Sequence, residues 1–595
     1  MKTKASIQFG FVDVTAKKDS GLTVNDQQSF VDLEDLKVDN LIETKYGTLE
    51  KNQFALDGNF ELMKDNLENM GWWSKEMSNE NGVFETPLTL QIDFTETHSS
   101  LGLTFVFSEI GDYCNSLNIK YYDKDNNLIS NVNFAPDNYK YVANNIVENY
   151  TKIVITFYST NNPYRYLKLY QILYGAEKTF EGDSLKSASI LEEVDLLSSE
   201  IPINTLDFTI YSADDDFNIL NPQGVYTLLQ QRQKLEVTEI LIKENKKIPM
   251  GTFYLDTWKN KNDKQMDISA IDLVGVIDKT DFNGGIYVNV TAGEILEEIF
   301  ASAGLSSEDY EIPENLASIV LNGYLPICTH RKALQQVVFA IGAVADCSRS
   351  SKVKIYTVED VENVEDRAII DKGNRTQGSL EIKQNEIVTG VSVNAHNYTK
   401  TTTAEKLYEG TLDAGKTTIK FNSPVYNISC TGGTIVESNC NYAIVSCNAE
   451  SNVVINGYKY EDNLQEYLVE LENVTEIETK NILKIENAYL VSKSNAKAIA
   501  TKILEYYKET YTTKLEFLLG DEILTQDLEV DQSYNKLLVG HANKFDIDLT
   551  GGFIVNAELN TRIRLAYEKR TLDLAENIGA TIIRNTYTQL KGENE

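Results

Sequence analysis

The stretch PLTLQIDFTETHSSLGLTFVF, residues 87–107, sets Leu88, Leu90, Ile92 and Phe94 at alternate positions, and Leu101, Leu103, Phe105 and Phe107 repeat the pattern. A period of two places all of these side chains on one face of an extended chain, so each run predicts a half-buried strand. The alternation returns in Leu117, Ile119 and Tyr121 and in Ile153, Ile155 and Phe157, with the turn clusters DKDNN (123–127) and STNNP (159–163) between them. Helical periodicity is absent from Pro87 to Gly175, and the region therefore predicts an antiparallel β-sandwich.

Downstream, alternation continues through Leu206, Phe208 and Ile210 and through MGTFYLDTW and MDISAIDL, but helical patterns enter. In TAGEILEEIFASAG (291–304), Thr291 and Glu294 have capping-box spacing, Ile295 and Ile299 share one face, and Gly304 stops the helix. THRKALQQVVFAIGAVADC (329–347) predicts a second helix with Leu334, Val337, Val338 and Ile341 on its buried stripe. A third helix is predicted in SNAKAIATKILEYYKET through Ala496, Ile499, Ile503 and Tyr506, followed by the strands TKLEFLLG and KLLVGHANKFDIDLTGGFIVNAEL. The fold class is thus mainly β with α+β parts.

The chain has 595 residues, enough for roughly four domains at about 150 residues each. With 89 acidic against 55 basic residues the formal charge is -34, which opposes stable nucleic-acid binding. The apolar run VVFAIGAVA (337–345) falls far short of the roughly 20 residues that span a bilayer, so no membrane anchor is expected. Gln8 and Asp13 interrupt the N-terminal apolar run, which does not read as a signal peptide. Cys114, Cys328, Cys347, Cys430, Cys440 and Cys447 are scattered, as free thiols would be.

Catalytic, cofactor and metal constellations are not found. His98, His330, His396 and His541 form no HExxH pair, and Cys328 with His330 lacks a second ligand pair. DKDNNLI opens like a calcium loop at Asp123, but Leu128 stands where Gly is needed and Phe134 where the bidentate Glu belongs, so a hairpin tip is expected. SADDDFN (212–218) reads as a solvated loop rather than an acid/base pair. Trp72 and Trp73, adjacent in a chain with three tryptophans, are the candidate ligand or interface aromatics. An indole can stack on a sugar but more often fills a core. One ring is expected in the core and the other partly exposed at a rim or subunit contact.

Several segments carry a resemblance. YGTLEKNQFALDGNF (46–60), GWWSKEMSNENGVF (71–84), LGLTFVFSE (101–109), LNIKYYDKDNNLI (117–129) and PYRYLKLYQILYG (163–175) resemble, in order, the N-terminal module of tail and baseplate proteins from phages and prophages of Gram-positive, especially clostridial, bacteria. DLLSSEIPINTLDFTIYSADDDFNILNPQG (195–224), THRKALQQVV, AIATKILEYYKETY and DIDLTGGF (546–553) resemble tail hub proteins. One departure is TQDLEV (525–530), where the family often has Gly-Asp; here Gly520 and Asp521 come earlier.

The resemblance implies a galactose-binding or discoidin-like jelly roll at 61–175 after an N-terminal extension at 1–60. Two tail-tube-like β-barrel hub domains follow, one at 176–285 and one at 378–397 plus 485–565. A helical α+β domain at 286–377, a β insertion at 398–484 and a C-terminal tail at 566–595 complete the chain. It also implies a homotrimer forming a pseudo-hexameric ring in the baseplate or tail tip of a virion or tail-like particle, made in the bacterial host cytoplasm. Its partners would be the tail tube or distal tail protein, the spike or tip protein, the tape measure protein and other baseplate proteins. Acidic walls would let DNA slide through the channel, and the alternative is that the charge serves only solubility. A glycan-binding tail adhesin, using the sandwich on a host surface glycan, is the alternative. A cell-wall hydrolase is a third class for which no residues were found, and no enzymatic activity or cofactor is expected.

Overall fold

The computed structural model describes residues 3–37, 43–45, 50, 67–108, 111–212, 229–243, 246–358, 368–471, 480–520, 522–531 and 536–565. The acidic run at 213–218, residues 51–60, Asp521 and the tail at 566–595 lie outside them. The fold is mainly β, with short helices gathered around a second core.

Strand β1 (Thr3–Val12) opens the chain, and helix α1 (Val14–Asp19) with strand β2 (Gly21–Val24) leads away from it. The sandwich follows as β3 (Trp72–Met77), β4 (Val83–Phe107), β5 (Cys114–Tyr122), β6 (Leu128–Phe134), β7 (Lys140–Thr160) and β8 (Tyr166–Leu173). Its strand order is β3-β8-β4-β7-β5-β6, with β2 also paired to β4. Leu90, Ile92, Leu103, Phe105, Phe107, Ile119, Ile155 and Phe157 meet in its core as the alternation requires. The two runs quoted first are one strand, bent where the register shifts between Asp93 and Gly102. Gly102 makes the bend feasible: its φ is +141°, and a Cβ there would stand 2.1 Å from the Ala143 carbonyl oxygen.

Strand β9 (Gly175–Glu181) returns alongside β1, from Val12 opposite Gly175 to Ser6 opposite Glu181. The sandwich therefore emerges between two hydrogen-bonded neighbours, and the N-terminal segment is part of the largest sheet. That sheet continues through β10 (Leu185–Glu193), β11 (Thr205–Tyr211), β12 (Lys234–Leu241), β13 (Lys246–Asn262) and β14 (Gln265–Ile271).

The second core begins with α2 (Leu273–Ile277), β15 (Gly285–Thr291), α3 (Ala292–Ser302), β16 (Val320–Leu325) and α4 (His330–Ala340). The Thr291/Glu294 capping box is present, and Ile295, Leu296, Ile299 and Phe300 are buried. Helix α4 ends sooner than its sequence pattern: Gly342 takes a φ of +66° and Val344–Asp346 is extended. Strands β17 (Ala368–Ile370) and β18 (Glu381–Gln384) belong to the large sheet, whereas β19 (Gly390–Ala395), β20 (Gln465–Glu470) and β21 (Ile482–Ile485) form a separate sheet. Helix α5 (Ala496–Tyr506) buries Ile499 and Ile503 in the core to which β19 contributes Val391 and Val393. Between β19 and β20, residues 398–462 fold as two small sheets around Ile419, Val445, Val453 and Ile455. The large sheet is completed by β22 (Tyr511–Leu518), β23 (Asp527–Asp531), β24 (Lys536–Asp548) and β25 (Ile554–Leu565).

An internal repeat emerges from the pairing. In the first half the order is β1-β12-β13-β14-β11-β10, and in the second β17-β23-β24-β25-β22-β18. Chain order within the two sets also corresponds, and the pairs correspond in direction except that β1 is antiparallel to β12 and β17 parallel to β23. The first unit carries the sandwich between β1 and β10, and the second carries the β19–α5 region between β18 and β22. No pairing among the described residues closes either unit into a complete ring of strands. One apolar core runs through both, from Ile7 and Phe9 to Val555 and Leu559.

Helix α1 is held by His98, whose Nδ1 lies 2.8 Å from Asp13 Oδ2 and whose Nε2 lies 2.9 Å from Asp19 Oδ2. Burial opposes ionisation of Asp13, but hydrogen bonds from Thr15, His98 and the Ala16 amide outweigh it and hold the carboxyl below its ordinary value. Asp19 is lowered too, first by the Thr95 hydroxyl. Lowered carboxyls contribute stability above the unfolded-chain value of about 3.9 and lose it as pH falls through their folded values. The acid limb of a thermal-stability profile below about pH 5 should be shallower in Asp13→Asn than in the parent chain; parallel acid limbs would show that this clamp carries no linkage.

Candidate assembly interface

The two repeat units meet edge to edge where β10 lies against the C-terminal half of β24. Ser189 is opposite Asp548, Ile190 opposite Ile547, and Glu193 opposite Lys544. The ladder is extended by Val194 N donating to the Asn543 carbonyl at 2.9 Å and by Leu549 N donating to the Ala188 carbonyl at 3.0 Å. Lys544 Nζ is 3.5 Å from Glu193 Oε2 at the solvent-facing end. Ile190 and Ile547 are both fully buried here, so the seam is a packed sheet rather than a polar contact.

A polar network holds β10 in place from the second core. Glu192, on the inward side of β10, is 1 % exposed at its side chain and lies 2.5 Å from Arg349 Nε. Burial raises its pKa, Arg349 opposes this, and Asp346 adds to it. Asp272 caps α2 by accepting from Gly275 N at 2.9 Å and also accepts from Asn204 N at 3.1 Å. Its carboxyl is pushed up to about 7, chiefly by burial. Asn204 Oδ1 accepts from Glu193 N at 2.8 Å, and its amide reaches Ser348 Oγ at 3.2 Å. The segment between β10 and β11 is fastened by Gln335 donating to Ser198 O at 2.6 Å and Arg331 donating to Ile201 O at 2.8 Å. Hydrogen bonds of this kind, drawn from the second core, favour one register for β10.

The strand that corresponds to β10 in the second unit is β18, and its setting differs. Glu381, Ile382, Lys383 and Gln384 are all exposed, with Ile382 at 45 %, and β18 ends the sheet. Superposing the units by their final hairpins, Asn262 with Gln265 and Asp548 with Ile554, puts Ile382 at the position of Ile190. An apolar residue buried in one unit is thus uncovered in the other.

The sequence-predicted aromatics lie far from this seam in the pairing scheme. Trp72 is fully buried, donates Nε1 to the Asp26 carbonyl at 2.8 Å and packs edge-on to Phe157 at 5.5 Å. The expectation of a partly exposed second indole is not met: Trp73 is 3 % exposed, between Phe30 and Lys168, whose Nζ is 5.1 Å from the ring centre. Lys168 itself is buried against Glu50 at 2.9 Å, a pair that sequence pattern did not signal, because a Lys in a strand is ordinarily on its wet face.

Asp123 does form a hairpin tip, its Oδ1 accepting from the amides of Asp125 and Asn127, with Asn126 at a φ of 60°. All six cysteines are free thiols. His330 is occupied by Thr280 and Ser302, at 2.9 and 3.1 Å. Among the described residues, no group of three or more His, Cys, Asp and Glu is placed to hold a metal, and no helix is long and apolar enough to cross a membrane.

No protein-family model and no curated protein matches the chain. Among solved structures, the chain is similar to a tail protein from Neisseria meningitidis at 10 % identity and a TM-score of 0.39, over 64 % of this chain and 93 % of that one. It is similar to a 43 kDa prophage tail protein from Shewanella oneidensis at 10 % identity and a TM-score of 0.36, over 64 % and 94 %. A prophage tail protein from Listeria monocytogenes is similar at 9 % identity and a TM-score of 0.36, over 64 % and 91 %.

Proposed function

We propose that this chain is a structural, non-enzymatic tail hub or baseplate protein, three copies of which build a ring of six like units. The observation that carries the reading is the repeated strand order, with one unit's β10 seated on the other unit's β24 while the equivalent strand β18 ends the sheet uncovered. Repetition of the same junction between copies seats β18 on the C-terminal half of β13 in the next chain, around Lys259 and Lys261. A head-to-tail contact of this kind closes into a ring when its rotation permits. The ring would close the tail tube, join it to the spike and surrounding baseplate proteins in a virion or tail-like particle, and present a strongly acidic surface to a polyanion. The sandwich is an accessory module, and the burial of Trp72 and Trp73 supports a structural role for both indoles.

Mass measurement of the purified full chain by light scattering tests the reading. Three chain masses are expected for the parent, and one for Ile382→Lys, with unchanged circular dichroism. A parent chain that stays monomeric, both alone and in isolated particles imaged with this chain labelled, would overturn it.

A further inference from the structure

Strand β24 is covered along its free side by two strands, β23 on its first half and β10 on its second. Strand β13 is covered by β12 over residues 246–254, and among the described residues no strand lies beyond residues 257–262. The two hairpins correspond position by position. Trp258 pairs with Ile268, Lys259 with Asp267 and Asn260 with Met266, where the second unit pairs Phe545 with Ala557, Asp546 with Asn556 and Ile547 with Val555. Inside the chain, Glu192 lies opposite Phe545, Leu191 opposite Asp546 and Ile190 opposite Ile547. With Ile382 at the position of Ile190, the same junction between copies sets Ile382 opposite Asn260, Lys383 opposite Lys259 and Gln384 opposite Trp258.

The side chains at these positions suit one another on the inner face of the sheet. Phe545 is fully buried beside β10, whereas Trp258 packs on the main core and is only partly buried. Ile382 is the apolar residue left uncovered on β18. Diagonal neighbours across a strand pair are within reach of a large aromatic ring, so Ile382 of one copy covers the open side of Trp258 in the next. On the outer face the two junctions differ. Inside the chain an uncharged Leu191 faces Asp546, but between copies Lys383 faces Lys259. Asp267 stands 3.8 Å from the Lys259 ammonium, and the lysine side chain is 77 % exposed. Like charges directly opposite each other destabilise a strand pair. Arg349 further fastens β10 through Glu192, and the corresponding Gln384 carries no charge for such a clamp.

We infer, on the ring reading above, that the junction between copies packs Ile382 against Trp258 of the next copy and is held weaker than the junction inside the chain by Lys383 facing Lys259. The apolar pair sets where the copies meet, and the lysine pair limits how tightly they hold.

Acrylamide quenching of the full chain follows the indole, because Trp72 and Trp73 are buried in the sandwich and Trp258→Phe supplies their background. Quenching of Trp258 should fall at least about twofold between the monomeric Ile382→Lys chain and the parent oligomer. Lys383→Glu makes an acidic chain more acidic and would weaken association if net charge ruled. It also sets a carboxylate opposite Lys259, and should tighten association about threefold, read from light-scattering mass over a dilution series. A parent that forms the three-chain species with Trp258 as open to acrylamide as in Ile382→Lys overturns the inference and leaves the ring standing. Lys383→Glu that associates no more tightly than the parent does the same. A parent that is monomeric both in solution and in isolated particles would overturn the junction and the ring together.

Discussion

Lys168→Met is expected to destabilise the sandwich by about 3–5 kcal/mol, the cost typical of removing one partner from a buried ion pair. Lys168 lies on β8, its side chain and that of Glu50 are both fully buried, and Nζ is 2.9 Å from Glu50 Oε2. Glu50 also accepts from Tyr166 N, on β8, at 2.9 Å. Methionine fills much of the volume but removes the ammonium that pairs with the carboxylate and sits over the Trp73 ring. The unfolding transition followed by tryptophan emission should move down by roughly 10 °C or more. Adding Glu50→Gln should recover a large part of the loss, since the amide oxygen still accepts from Tyr166 and no charge remains buried. A single variant within about 1 kcal/mol of the parent would show that the pair contributes little.

The second large effect is expected at the seam. Arg349→Met removes the cation beside Glu192, whose carboxyl is already raised by burial and by Asp346. A cost of about 3–5 kcal/mol is again expected, and it should depend on pH in the sense opposite to the His98 clamp. Without Arg349 the folded-state pKa of Glu192 rises further above the unfolded value of about 4.3. Between those two values the folded chain holds a proton that the unfolded chain has released, so its stability falls as pH rises through the window. The deficit of the variant relative to the parent should therefore be larger at pH 8 than at pH 5, measured by thermal unfolding in matched buffers. An equal deficit at both would mean that Glu192 is not the group left exposed to the loss.

These two ion pairs mark where local pattern stopped being informative. The alternation in 87–107 located the sandwich core, the cap of α3 is where Thr291 and Glu294 indicated, and the buried stripes of α3 and α5 are where Ile299 and Ile503 indicated. Both readings rest on the geometry of one element, which a few neighbouring residues determine. Lys168 and Glu50 are 118 residues apart, and Arg349 and Glu192 are 157 apart, so neither pair leaves a local trace. The Trp73 indole misled because its cover comes from Phe30 and Lys168, each remote in sequence.

By itself the sequence determined the strands of the sandwich, the helices α3 and α5 with their apolar faces, and that the chain is acidic and mainly β. The neighbours of those strands were decided only by the tertiary structure. Thr3 pairs with Leu241, so the first residues belong to the large sheet, and Ser189 pairs with Asp548, which joins two units that share strand order. Period two names the buried face of a strand but not the strand beside it. The entropy of closing a loop rises by only about 0.6 kcal/mol per doubling of its length, so separation along the chain does not exclude a partner hundreds of residues away. The choice falls to the packing of the shared core from Ile7 to Leu559, which no single segment contains.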